Sequence, residues 1–150
     1  MPTEVRSVIT INRPPTEVFD LVTTPGHWPD WHPSSLGVSG ATDHSLVVDE
    51  EVTEEFLVAG RRGSLTWRVT QRDAPRSWAI SGSLQGRGAG TVAYALTPEG
   101  MGTRFERVFT YEVKGLLFAL VNRLAYHRRV VAESAEALRR LKRRLEDADS

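Results

Sequence analysis

The chain has 150 residues, of which 40% are hydrophobic and 25% charged, enough for one domain with a buried core. Lys plus Arg and Asp plus Glu number 19 each, so the chain lacks the basic field that nucleic-acid binding requires and exerts no strong steering on acidic substrates. The absence of cysteine excludes disulfides, thiolate chemistry and cysteine-ligated zinc or iron–sulfur sites.

Met1 to Arg6 carry no basic-then-apolar signal pattern, and no apolar run approaches the roughly 18 residues that span a bilayer. These observations predict a cytoplasmic protein with no stable membrane insertion. Val5, Ser7, Ile9 and Ile11 alternate with Arg6, Thr10 and Asn12, which predicts a strand despite Val8 on the polar side. Arg13, Pro14 and Pro15 stop it. Pro15 suits the first turn of a helix, where its missing N–H costs nothing. Val18, Phe19, Leu21 and Val22 then predict a short amphipathic helix ending near Thr24 and Pro25. The next stretch, from His27 through Trp28, Pro29, Asp30, Trp31 and His32 to Pro33, predicts a single helical turn in a loop.

From residue 35 to residue 113 the helical period disappears. Strand-type segments are predicted at about 36–41, 48–58, 63–73, 76–85, 89–97 and 102–113, divided by Gly- and Pro-rich turns. The short connections predict antiparallel neighbours in a meander with one apolar face. That face carries Phe56 and Val58, then Leu65, Trp67 and Val69, then Trp78 and Ile80. Val92, Tyr94 and Leu96 follow, and then Phe105, Phe109 and Tyr111.

After Gly115 the period becomes helical, with one stripe through Leu117, Leu120, Leu124, His127, Val131, Ser134, Leu138, Leu141 and Leu145. The opposite face carries Arg123, Arg128, Arg129, Arg139, Arg140, Lys142, Arg143 and Arg144. It reads as a solvated helix face, with an acidic membrane surface or partner as the alternative.

The predicted fold is α+β, a single domain over residues 1–150. A curved seven-stranded antiparallel sheet wraps around a long C-terminal helix, with two short helices between strands 1 and 2. One helix about 10 Å wide cannot cover a flat sheet of about 30 Å, so the sheet curls and leaves a space between the two. That space predicts a ligand pocket.

Ile11 to Asp20 run a strand straight into a Pro-started helix that carries Glu17, Val18 and Phe19. Trp28, Pro29, Asp30 and Trp31 follow, and Gly102, Thr103, Arg104 and Phe105 enter the last strand. With the long terminal helix, these features resemble the START-like or SRPBCC superfamily of polyketide cyclases/dehydrases and lipid-transport proteins. The resemblance spans nearly the whole chain. It implies a helix-grip fold with a deep cavity for an apolar molecule, in a family of carriers, aromatase/cyclases and partner-binding proteins with no shared catalytic set.

The predicted pocket residues are Trp28, Trp31, Phe56, Trp67, Trp78 and Tyr94, with Phe109, Tyr111, Leu120, Leu124, His127 and Val131. Each aromatic also has a plain reading as filled core, and Trp28 and Trp31 as loop anchors. Glu54, Arg107 and His127 are the polar candidates. An inward Glu54 or Arg107 must pair or meet a polar ligand group, unless a bulge lets it reach solvent. Four histidines without metal-ligand spacing predict no metal, and no motif calls for a cofactor. The leading reading is a monomeric or homodimeric protein that binds or carries a hydrophobic, lipid- or polyketide-like molecule. The alternatives are a cyclase/dehydratase-type enzyme using His127 with Glu54, Arg107 and Tyr111, and a protein- or membrane-surface interaction module.

Overall fold

A computed structural model describes residues 3–58, 60–84, 88–113 and 123–147. The elements run β1 (Thr3–Ile11), α1 (Pro15–Val22), a 3₁₀ turn (Pro25–His27), α2 (Trp28–Trp31), β2 (Ser35–Gly40), β3 (Glu51–Val58), β4 (Arg61–Asp73), β5 (Ser77–Leu84), β6 (Gly88–Glu99), β7 (Gly102–Val113) and α3 (Arg123–Glu146). The strands form one antiparallel sheet in the order β1-β7-β6-β5-β4-β3-β2. This is the helix-grip arrangement expected from the sequence, with the short helices between the first two strands.

Strand boundaries shift from expectation by up to three residues, β4 for one beginning at Arg61 rather than residue 63, and two of the shifts have a visible cause. β3 begins at Glu51 rather than near residue 48, because residues 47–50 close a turn. The Glu50 carboxylate accepts the Val47 N–H at 2.8 Å, the Glu50 N–H returns to the Val47 carbonyl, and Asp49 takes the left-handed region at φ 77°. β6 runs on to Glu99, since Pro98 lies at the strand's end opposite Thr103 and the reversal falls at Gly100, φ 60°.

The core centres on an aromatic column. Trp28 meets Trp78 edge-on at 6.4 Å, Trp78 stacks on Tyr94 at 5.3 Å, and Tyr94 tilts on Phe105 at 5.1 Å. Both indoles are satisfied, Trp28 Nε1–H by the Val22 carbonyl and Trp78 Nε1–H by the Leu46 carbonyl. The first bond ties α2 to the end of α1, and the second pins the 41–50 loop to the sheet.

The long helix is held at one end. Ala137, Leu138 and Leu141 are fully buried in a helix that packs on β1 and α2. Asn12 N–H donates to Glu146, Arg13 Nε to the Leu145 carbonyl and Lys142 Nζ to the Thr10 carbonyl. The predicted stripe holds at Ser134, Leu138, Leu141 and Leu145, which are buried together with Ala137, but over the first described turns the inward face is rotated from it. Leu124 and Val131 therefore sit in solvent at 62% and 42% exposure, while Val130 takes the inward place. Leu117 and Leu120 lie outside the described residues. The basic face is laced within the helix: Glu136 pairs with Arg139, Arg140 and Arg143, and Arg129 with Glu133. No described helix is long and apolar enough to cross a membrane.

Facing glycines set the depth of the concave face. Gly82 and Gly90 are register partners on β5 and β6, and Trp67 of β4 lies opposite Gly82. A Cβ at Gly82 would stand 2.9 Å from the Thr66 carbonyl oxygen and 3.0 Å from the Trp67 ring, whereas one at Gly90 would make ordinary contact at 3.4 Å. We expect Gly82→Ala to cost about 1–3 kcal/mol in urea denaturation through overpacking, and Gly90→Ala distinctly less. Equal costs would contradict this account of the Trp67 seat.

Candidate functional site

A cavity of about 120 Å³ lies between the concave face and the first half of α3. Phe56, Val58, Leu65, Trp67, Phe109 and Tyr111 supply its sheet wall, and Tyr126, Val130, Glu133 and Ser134 its helix wall. A smaller void of about 30 Å³ lies deeper, against Trp28, Trp31, Ile80, Val92 and Tyr94. His32, Glu54, Trp67 and Arg107 line both spaces and form the partition between them.

Strand parity explains why charged groups reach this depth. Glu54 opposes Leu65 across β3 and β4, and Arg107 opposes Tyr94 across β6 and β7. The Trp67 indole, resting on the two glycines, donates Nε1–H to Glu54 Oε1 at 3.0 Å. Burial pushes the Glu54 carboxyl above its usual range, while the Trp67 N–H and the Arg107 charge pull the other way. Burial also raises the Tyr94 hydroxyl to about 12, against the pull of the Arg107 charge. Burial, reinforced by the charges of Arg107 and Arg140, lowers His32 well below the ordinary histidine range. The neutral ring accepts the Ser34 N–H at Nδ1, 3.1 Å away.

Arg107 is 7% exposed. Its Nη1 reaches Ser134 Oγ at a long 3.5 Å, and its guanidinium lies 5.4 Å from the centre of the Phe109 ring. Nε is buried without an acceptor, as is the Trp31 indole Nε1 across the void. No described carboxylate lies within ion-pair distance of the guanidinium.

The predicted site residues separate into groups. Phe56, Trp67, Phe109 and Tyr111 line the larger cavity, together with Glu54 and Arg107. Trp28, Trp31 and Tyr94 line the inner void, whereas Trp78 borders neither space and is solid core. His127 sits at the rim, its Nδ1 3.4 Å from the Tyr111 hydroxyl, without lining the cavity. Leu124 and Val131 point to solvent, and Leu120 lies outside the described residues. Tyr126, Val130, Ser34, Glu133 and His32 line the cavity without having been singled out for it. A polar Ser134 on the apolar stripe was the visible hint of a polar contact there.

The family model for polyketide cyclase / dehydrase and lipid transport matches residues 2–146. No curated protein matches the chain. Among solved structures, TTHA0849 from Thermus thermophilus is similar at 18% identity and TM-score 0.84, covering 99% of this chain and 100% of that one. MLL2253 from Mesorhizobium loti gives 17% identity and TM-score 0.72, with 99% and 100% covered. The major latex-like protein 151 of Panax ginseng gives 17% and 0.60, with 87% and 96% covered. At such identities the likeness is one of fold.

The raised Glu54 carboxyl has a consequence for stability. Below the unfolded carboxyl range the folded and unfolded chains are equally protonated at this site. As pH rises through that range the folded state resists ionisation and loses stability, up to its own higher value. Glu54→Gln keeps an acceptor for Trp67 and removes this loss. We expect the variant's Tm relative to the parent to be lowest below the unfolded carboxyl range, about 4.3, and to rise as pH increases through and above it. A relative Tm that falls with rising pH would reverse the assignment.

Proposed function

The chain belongs to the polyketide cyclase/dehydrase and lipid transport family, and on that footing we propose that it binds a hydrophobic small molecule, lipid- or polyketide-like, between the sheet and α3. The observation that carries this reading is a cavity walled largely by aromatic and aliphatic side chains, with Glu54, Arg107 and His32 at its inner end. Ligand pockets have this build, with apolar walls for affinity and a few placed polar groups for orientation.

Size refines the proposal. About 120 Å³ takes a benzene-sized group, whereas pockets for larger ligands run to roughly 300–1,000 Å³. A longer molecule is admitted by outward displacement of the first described turns of α3. Leu124 and Val131 are already in solvent there, and the fastening contacts at Thr10, Asn12 and Arg13 lie at the other end.

One observation favours a second reading, a cyclase/dehydratase-type enzyme. A buried carboxyl with raised proton affinity, next to a cation in an apolar cavity, is the setting of a general acid. A bound molecule that emerges chemically changed, with the change lost in Glu54→Gln while binding persists, selects this reading.

The binding reading is tested with N-phenyl-1-naphthylamine, a neutral fluorophore, and by mass spectrometry of molecules that co-purify with the native protein. We expect saturable fluorescence enhancement at one site. Val130→Trp, which fills the cavity from α3, should weaken it at least about tenfold with an unchanged far-UV spectrum. No saturable binding, together with no co-purifying molecule, would overturn the proposal.

A further inference from the structure

Resting on the binding reading, we infer that the partition is a head-group site for a carboxylate, so that the ligand is an amphipathic monocarboxylate with its tail in the outer cavity. Two buried donors from separate elements carry this inference. Arg107 Nε–H on β7 and Trp31 Nε1–H on α2 both lack an acceptor, and both residues line the same inner void. At 7% and 1% exposure neither side chain is open to bulk water. Unpaired buried donors are rare, and a pair of them beside one void marks a place built for an acceptor.

Charge narrows the acceptor to an anion. Arg107 is a buried cation with a long bond to the neutral Ser134 hydroxyl and no described carboxylate within ion-pair distance. The Tyr94 hydroxyl opposite it keeps its proton, so it brings no negative charge. A water molecule would satisfy an N–H but would leave the charge uncompensated. Glu54 is turned to the Trp67 indole, and His32 stays neutral, so neither neutralises the guanidinium at contact. Size narrows it further. The void of about 30 Å³ suits the two oxygens of a carboxylate better than a phosphate or sulfate group, and one guanidinium matches one negative charge in bidentate geometry. Because Arg107 lines both spaces and lies against Phe109, a head held there directs its tail along Phe109, Phe56 and Val130 toward the rim.

The test compares octanoate with 1-octanol by calorimetry at about pH 7.5, where the acid is ionised. In the parent protein octanoate should bind at least about tenfold more tightly than octanol. Arg107→Met should erase that preference, bringing the ratio of octanoate to octanol affinity to about one. Trp31→Phe, which keeps an aromatic ring and removes the indole N–H, should lower the ratio of octanoate to octanol affinity severalfold. As a check that does not depend on Arg107→Met folding, the Arg107 Nε–H and Trp31 indole N–H proton resonances should move downfield with octanoate and stay in place with octanol. Equal binding of acid and alcohol, or a preference that survives in Arg107→Met, overturns the carboxylate site and leaves the binding reading standing. Unmoved resonances under saturating octanoate do the same, since they leave only ordered water in the void. Failure of both probes to bind overturns both.

Discussion

The architecture depends on a mismatch of widths. Seven strands at about 4.8 Å spacing must be covered by one helix about 10 Å across. A flat sheet would leave most of its apolar face wet, so it curves, and a curved sheet has a hollow that one helix fills only where it seats deeply. Here it seats deeply at its C-terminal half, on β1 and α2, where Ala137 permits close approach and Asn12, Arg13 and Lys142 supply cross-links. The first described turns of α3 leave the cavity beneath them. Firm attachment at one end and the hollow at the other are two results of the same geometry.

The hollow is not left purely apolar, and its polar content is ordered from the glycine floor upward. Gly82 and Gly90 let the Trp67 indole lie flat enough to aim Nε1–H at Glu54. That bond engages one oxygen of Glu54, and Trp28 and Tyr94, two members of the aromatic column, wall the inner void beside Arg107. A buried charge in such surroundings is costly to the fold.

Much of the fold was legible in the sequence because it rests on period. Alternation over β4 to β7 placed Leu65, Trp67, Trp78, Tyr94 and Phe105 on one face, and the structure keeps them there. The same parity singled out Glu54 and Arg107 as misfits. Period does not fix rotation residue by residue, and so the helix stripe held at Ser134, Leu138, Leu141 and Leu145 but missed at Leu124 and Val131. Val130 and Val131 are adjacent, each is apolar, and only the seating of Ala137 and Leu141 decides which one turns inward. Nor does period separate filled core from cavity wall. Trp78 and Trp67 are identical in pattern, yet Trp78 is sandwiched between two aromatics while Trp67 faces two glycines. His32 became part of the site only through the loop that brings α2 beside β3 and β7, a contact between segments far apart in sequence.

Binding and proton chemistry draw on the same residues here, so they are not independent alternatives. Glu54 faces Trp67, His32 and Arg107 across the partition, and of these only Arg107 is charged. An anion seated against Arg107 would add a second negative charge and screen the cation that now favours ionised Glu54. Both changes strengthen the hold of Glu54 on its proton. Seating an anionic head would thereby raise further the proton affinity of the Glu54 carboxyl beside the bound molecule, in a space of low polarity. A carrier and an acid catalyst would differ only in whether the bound molecule offers a group that accepts this proton productively. On the proposed reading the distinction would then lie in the ligand's chemistry, because one arrangement of Glu54, Trp67 and Arg107 would suit either role.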